Sequence, residues 1–81
     1  MNREDVVAKL NLVFKDVFDD ESLSIDDKTT ASDIEDWDSL THITLLSEVE
    51  DAFSIKFTMK EVIGLKNVGE MIDLILNKIN K

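Results

Sequence analysis

Apolar residues recur at steps of three and four in three separate segments of this 81-residue chain. That spacing is typical of helices that bury one face and leave the other in water. In the first segment it predicts a helix over about residues 3–17, with the apolar stripe Val6, Leu10, Val13, Phe14, Val17 and Phe18. Proline, which interrupts helices, is absent, and the chain has only two glycines. These features predict an all-α fold.

Between the first and second helical segments, residues 19–36 lack this periodicity and are rich in Asp, Ser and Thr. We expect a long loop there, held to the core by Leu23, Ile25 and Ile34. A loop of about 15 residues or more inside a compact domain is usually functional or disordered. No internal repeat or linker divides the chain, so we assign residues 1–81 to one domain.

The second long helix is predicted to begin after Asp38, because an Asp at this position accepts hydrogen bonds from unpaired N–H groups one turn ahead, here near Thr41. Trp37 and His42 then hold the two positions of a hydrophobic staple. Helical rotation divides the residues of this helix between two faces. The core face contains His42, Leu45, Leu46, Val49, Ala52 and Phe53, and the outer face contains Leu40, Ile43, Thr44, Ser47, Glu48 and Asp51.

Two shorter signals complete the helical plan. Thr58 and Glu61 fit a capping box, which predicts a short helix that runs to about Ile63 and stops at Gly64. Asn67 offers a similar start to a last helix with the stripe Val68, Met71, Ile72, Ile75 and Ile79. The expected fold is a four-helix bundle with three longer helices, one short helix and a long loop after helix 1.

The charge pattern limits the possible partners. The net charge is −9, and the stretch 29–55 has seven acids and no Lys or Arg. Such a surface repels nucleic acid and anionic membranes. No apolar run approaches the roughly 20 residues that cross a bilayer, and the polar start of the chain predicts no signal peptide. With no cysteine, a disulfide framework and a thiolate metal site are excluded, and a cytoplasmic location is expected.

Ser39 stands out because it is expected at the first position of the second helix, inside the acidic stretch. N–H groups and the positive end of the helix dipole favour a phosphate at such a position.

Nearby residues suggest two other chemistries, a hydrolytic triad and a calcium site. A hydrolytic triad of Ser39, His42 and Asp38 is disfavoured because no Gly-x-Ser-x-Gly elbow is present and His42 lies on the core face. A Ca²⁺ loop starting at Asp33 is disfavoured because its sixth position lacks Gly and its twelfth lacks Glu. We therefore predict no metal site.

Taken together, these residues resemble the acyl carrier protein family over nearly the whole chain. The resemblance rests on Asp38-Ser39-Leu40 at the start of the second helix and continues through later residues at the family's spacings, namely Leu45, Leu46, Val49, Glu50, Phe53, Thr58 to Glu61, Asn67-Val68 and Ile72 to Ile75. It implies that Ser39 receives a 4′-phosphopantetheine arm from coenzyme A. A separate phosphopantetheinyl transferase with Mg²⁺ would attach it, and Asp38 would help to place the metal or the serine.

The resemblance also implies partners and a role. The chain itself would be no enzyme but a monomer that presents acyl thioesters to acyl-loading and acyl-transfer enzymes with basic docking patches. Its docking surface would lie on the second helix and comprise Leu40, Ile43, Ser47, Glu48, Glu50 and Asp51. Three positions depart from carriers of primary fatty acid synthesis: Asp36, Trp37 and Thr41 stand where those carriers usually have Gly, a small residue and an acid. Fatty acid, polyketide and related specialised pathways stay open, as do an aminoacyl or peptidyl carrier and an unmodified acidic docking module.

Overall fold

Helix α1 spans Arg3–Val17 in the computed structural model, which describes residues 2–80. It begins with a capping box that was not expected from the sequence, in which the Asn2 side chain accepts from the Asp5 N–H and the Asp5 carboxylate accepts from the Asn2 N–H. The predicted apolar stripe is buried at Val6, Leu10, Phe14 and Phe18, and the remaining two members, Val13 and Val17, are partly buried against the core.

The loop after α1 is ordered by contacts with two helices. The Ile25 N–H donates to Oδ1 of Asn11 on α1, and Ile25 and Ile34 are buried, as predicted, while Leu23 is partly buried. One turn of 3-10 helix, Ala31–Asp33, interrupts the loop and was not expected from the sequence.

The three remaining helices are α2 (Ser39–Phe53), α3 (Met59–Ile63) and α4 (Val68–Ile79). Their predicted starts are confirmed, because the side chains of Asp38, Thr58 and Asn67 each accept hydrogen bonds from the first-turn N–H groups. The last residue of helix α3 is Ile63 and Gly64 is its C-cap, as expected. Residues 2–80 contain no strand, which confirms the all-α bundle of three longer helices and one short helix.

The start of α4 is joined to the loop through main-chain hydrogen bonds. The Val68 N–H donates to the Thr29 carbonyl over 2.8 Å, and the Gly69 N–H donates to the Asp27 carbonyl over 3.0 Å. Arg3 bridges the same region to the outside of α4, with ion pairs to Asp27 and Asp73. N–H groups that a helix start leaves unpaired are thus used to anchor the loop.

The core is one cluster of buried apolar side chains from α1, α2, α4 and the loop. On α2 the buried residues are Leu45, Val49 and Phe53, while His42, Leu46 and Ala52 are partly buried, so the core face is placed as predicted. On α4 they are Val68, Gly69, Met71, Ile72 and Ile75. Helix α3 has no buried residue. No helix within residues 2–80 combines the length and the apolar character that a bilayer crossing requires.

Candidate functional site around Ser39

Asp38 fixes the start of α2. Its Oδ1 accepts hydrogen bonds from the Leu40 N–H over 2.9 Å and from the Thr41 N–H over 3.0 Å, and Oγ1 of Thr41 accepts from the Asp38 N–H over 2.7 Å. The bond from the Thr41 N–H, with a smaller contribution from Leu40, lowers the pKa of Asp38. Asp38 is therefore an anion at neutral pH, and its other oxygen, Oδ2, accepts no hydrogen bond from residues 2–80.

Ser39 is the first residue of α2 and is exposed. Its hydroxyl makes no hydrogen bond within the described part of the chain, so the oxygen is open to a reaction partner. The helix end is less open to a phosphate than its position alone indicates. The N–H groups of Leu40 and Thr41 do not point freely at an incoming phosphate, because the Asp38 carboxylate occupies both. The helix end therefore presents an exposed serine hydroxyl, and two of its first-turn N–H groups are already bound.

Trp37 and His42 form the predicted staple. The indole Nε1–H donates to Nδ1 of His42 over 3.0 Å, and the two rings stack with centroids 5.9 Å apart. On its other side the indole packs edge-on against Phe14, at 5.3 Å between centroids, and against Phe18. Burial lowers the pKa of His42. The half-buried staple thus ties the start of α2 to the core face of α1.

Two cavities open beside this staple. The first, about 360 Å³, is lined by Trp37, Asp38, Ser39 and His42 around the start of α2 and by residues 65–67 before α4. We call it the site cavity. The second, about 530 Å³, lies between α2 and α3 and is lined mainly by apolar side chains, among them Ile43, Leu46, Phe57, Met59, Val62 and Ile63. We call it the α2–α3 cavity. His42 lines both of them.

The outer face of α2 is placed as predicted. Leu40 is 77% exposed and Ile43 67%, and Ser47, Glu48 and Asp51 are also exposed. Glu50 differs from this set, because its carboxylate accepts a hydrogen bond of 2.7 Å from the Phe57 N–H and is partly buried. It therefore holds the chain that leads to α3, which reduces what it can give to a partner.

Three residues near the site were not anticipated. Met59 and Ile63 on α3 are 74% and 76% exposed, so they add apolar surface next to Ile43 around the α2–α3 cavity. Their four-residue spacing on a five-residue helix was the available signal. Lys66 brings a cationic side chain to the lining of the same site cavity as Ser39. Only the tertiary packing brings it there, since 27 residues separate the two in sequence.

The alternative chemistries are not assembled. In a hydrolytic triad an acid would bind Nδ1 of the histidine, but Trp37 occupies Nδ1 of His42 and Asp38 is bound to backbone N–H groups. Asp33, which would be the first residue of a calcium loop, instead accepts a hydrogen bond from the Thr30 N–H and caps the 3-10 turn. No group of three or more His, Cys, Asp or Glu side chains within residues 2–80 is placed to hold a metal ion.

A family model and a solved structure are similar to this chain. Residues 8–75 match the family model described as "Phosphopantetheine attachment site". The solution NMR structure of holo acyl carrier protein from Geobacter metallireducens superimposes with a TM-score of 0.88 and 40% sequence identity, covering 93% of this chain and 86% of that one. A comparison with curated proteins gives no match.

Proposed function

Because the chain belongs to the family of phosphopantetheine-attachment domains, we propose that it is an acyl carrier protein in which Ser39 bears the 4′-phosphopantetheine arm. The observation that carries this assignment is the exposed, unpaired hydroxyl of Ser39 at the first position of α2. The family match includes this residue, and the similar structure from Geobacter metallireducens is that of a holo protein.

The residues present fit such a group. Attachment through a phosphodiester needs a primary alcohol that a second protein can reach, and Ser39 provides it at the mouth of the site cavity. Oδ2 of Asp38 has no hydrogen bond to the described residues, so it can contact the Mg²⁺ that the transferase supplies. Lys66, which lines the same cavity, offers a positive charge to a phosphodiester.

The attachment step is a transfer of the phosphopantetheinyl group from coenzyme A to the Ser39 hydroxyl. Oγ of Ser39 attacks the phosphorus that carries the pantetheine half of coenzyme A, and an O–P bond forms. The bond from that phosphorus to the bridging oxygen breaks, and 3′,5′-adenosine bisphosphate leaves with the electron pair. The hydroxyl proton passes to a base on the transferase. The terminal thiol of the bound group then supplies the site for an acyl thioester.

At two of the three positions that differ from carriers of primary fatty acid synthesis, Trp37 and Thr41, the side chain makes a local contact that accounts for it. Trp37 fills space against Phe14 and Phe18, and Thr41 accepts the Asp38 N–H, which a helix start must satisfy. Neither contact obstructs the Ser39 hydroxyl. We infer a carrier in fatty acid, polyketide or related specialised biosynthesis, with the cargo set by its partner enzymes rather than by catalysis of its own.

Partner enzymes are proposed to dock on the outer face of α2, next to Ser39. Glu48 and Asp51 make no ion pair within the described residues, so their charges are free to attract basic patches. Leu40 and Ile43 give apolar contact, with Ser47 between the charged and apolar parts. Glu50 contributes its charge, but its carboxylate is held by the hydrogen bond from the Phe57 N–H.

The test is loading in vitro. Wild-type protein, Ser39→Ala and Ser47→Ala are incubated with coenzyme A, Mg²⁺ and a broad-specificity phosphopantetheinyl transferase, beside a second carrier known to be loaded by that transferase. We expect wild type and Ser47→Ala to gain one phosphopantetheinyl group on the peptide containing Ser39. The serine control on the same exposed face distinguishes the site from any accessible hydroxyl. Unchanged mass of the wild type, with the second carrier loaded, would support the unmodified docking module instead.

A further inference from the structure

His42 is shared by the two cavities beside Ser39. It is the fourth residue of α2, one turn after Ser39, and its side chain lines both the site cavity and the α2–α3 cavity. A flexible group attached to Ser39 that enters either cavity therefore comes to a space that this imidazole helps to line. The chemistry of the ring therefore bears on which groups can lie there.

The hydrogen bond from Trp37 fixes the tautomer of the ring. Since Nδ1 accepts the indole proton, a neutral His42 must carry its own proton on Nε2. Burial lowers the pKa of His42, which favours this neutral form near pH 7. The ring thus has one committed acceptor and one donor.

The donor is not used by the protein. Within residues 2–80 no bond from Nε2 is made, and no side-chain nitrogen or oxygen that is fully buried lacks a partner. Nε2 is therefore reached by solvent, on a residue that lines both cavities. Beyond it the walls turn apolar, with Leu46, Phe57 and Val62.

A polar N–H at this boundary discriminates between ligands. A saturated chain that covers it removes its water and returns no hydrogen bond, whereas an oxygen acceptor replaces the water. We propose that Nε2–H of His42 is a binding group for an oxygen acceptor on the group borne by Ser39. The acceptor belongs to one of two sources, an amide carbonyl of the arm or an oxygen of the acyl cargo. This inference rests on the proposed attachment at Ser39.

The experiment uses the fact that His42 is the only histidine. Protein labelled with ¹⁵N in the imidazole gives a single set of ring signals, which is recorded for the apo, holo, hexanoyl and 3-oxohexanoyl forms. We expect the Nε2–H signal to shift and to exchange more slowly with water. A change already present in the holo form assigns the acceptor to the arm. A change that appears with 3-oxohexanoyl and not with hexanoyl assigns it to the cargo, and then favours oxygenated acyl groups.

Two variants separate binding from packing. His42→Gln keeps an acceptor for Trp37 and a donor, while His42→Phe keeps the ring and removes both. In the 3-oxohexanoyl form we expect hydroxylamine to cleave the thioester about fivefold faster in His42→Phe than in wild type, with His42→Gln close to wild type. Thermal melts of both variants show whether the fold is intact.

The outcomes are distinguishable by mass spectrometry of each sample. Failure to load Ser39 would overturn this inference together with the proposed function. This inference alone would be overturned if loading is complete, the Nε2–H signal is the same in the apo form and the three loaded forms, and the thioester is cleaved equally fast in all variants.

Discussion

The indole Nε1–H of Trp37 donates to Nδ1 of His42, so the last loop residue before the Asp38 cap is bonded to the first turn of α2. This contact makes the start of α2 sensitive to pH, because protonation of Nδ1 removes the acceptor. Burial lowers the pKa of His42 in the folded protein below its ordinary value of about 6.5. Between the lowered folded pKa and that value, the unfolded chain therefore binds a proton that the folded protein does not.

The first prediction is a stability loss on mild acidification. The His42 contribution is fully present above about pH 6.5 and is lost as the pH falls through the lower folded pKa. Melting temperatures and Trp fluorescence are measured between neutral and mildly acid pH for wild type and His42→Gln, which does not titrate. The difference between them isolates the histidine from the carboxylates, and a difference that is independent of pH would contradict the prediction.

The second prediction concerns the junction between the loop and α4. A Cβ added at Gly69 would lie 2.8 Å from the carbonyl oxygen of Asp27, which is backbone and cannot rotate away. Gly69→Ala should therefore destabilise the protein by about 1–3 kcal/mol, as overpacking usually does. Gly64→Ala is the matched control, since its nearest contact would be 3.7 Å. Denaturant unfolding of both variants checks this. Equal free energies of unfolding for Gly69→Ala and Gly64→Ala would contradict the prediction and mean that the backbone at the junction shifts to admit the methyl group.

The third prediction is electrostatic steering by α2. Glu48→Lys combined with Asp51→Lys should slow association with the transferase and flatten its salt dependence, because rim charges act mainly on encounter. Asp16→Lys with Glu21→Lys makes the same change in net charge at exposed positions that are not part of α2. Stopped-flow kinetics at several salt concentrations compare the two. Equal effects would indicate a response to net charge rather than to a docking face.

The fourth prediction separates the apolar part of the same face. Ile43 is 67% exposed, so Ile43→Ala removes no core contact and should leave the melting temperature nearly unchanged. We expect faster dissociation from the transferase with an unaltered salt dependence. Val49→Ala is the structural contrast, because Val49 is fully buried and its truncation creates a cavity. Unfolding of Ile43→Ala would show that the face is misassigned.

Most of the fold was predictable because its signals are local. Helix starts follow from a capping side chain and the N–H groups two or three residues later, and apolar spacing identifies the buried face of α1, α2 and α4. The same local reasoning placed Trp37 against His42. These features depend on neighbours in sequence, so no tertiary information was needed.

The features that the sequence did not predict depend mostly on contacts between distant segments. The carbonyls of Asp27 and Thr29 bind the start of α4, and backbone groups give no sequence signal. Glu50 was expected to serve docking alone, but the chain after α2 brings the Phe57 N–H to its carboxylate. The helix end is less open to phosphate than expected, because one Asp38 oxygen satisfies two N–H groups. Lys66 reaches the Ser39 cavity only through tertiary packing.

The most direct test of the carrier assignment is the mass of the protein isolated from its native host, followed by peptide mapping. We predict a species heavier by one phosphopantetheinyl group, with the addition on Ser39, and a Ser39→Ala variant expressed in the same cells that lacks it. Substitution at this exposed first-turn position should change stability by no more than about 0.5 kcal/mol, so loss of the group would not reflect unfolding. Native protein that carries no addition, or an addition that persists in Ser39→Ala, would contradict the assignment.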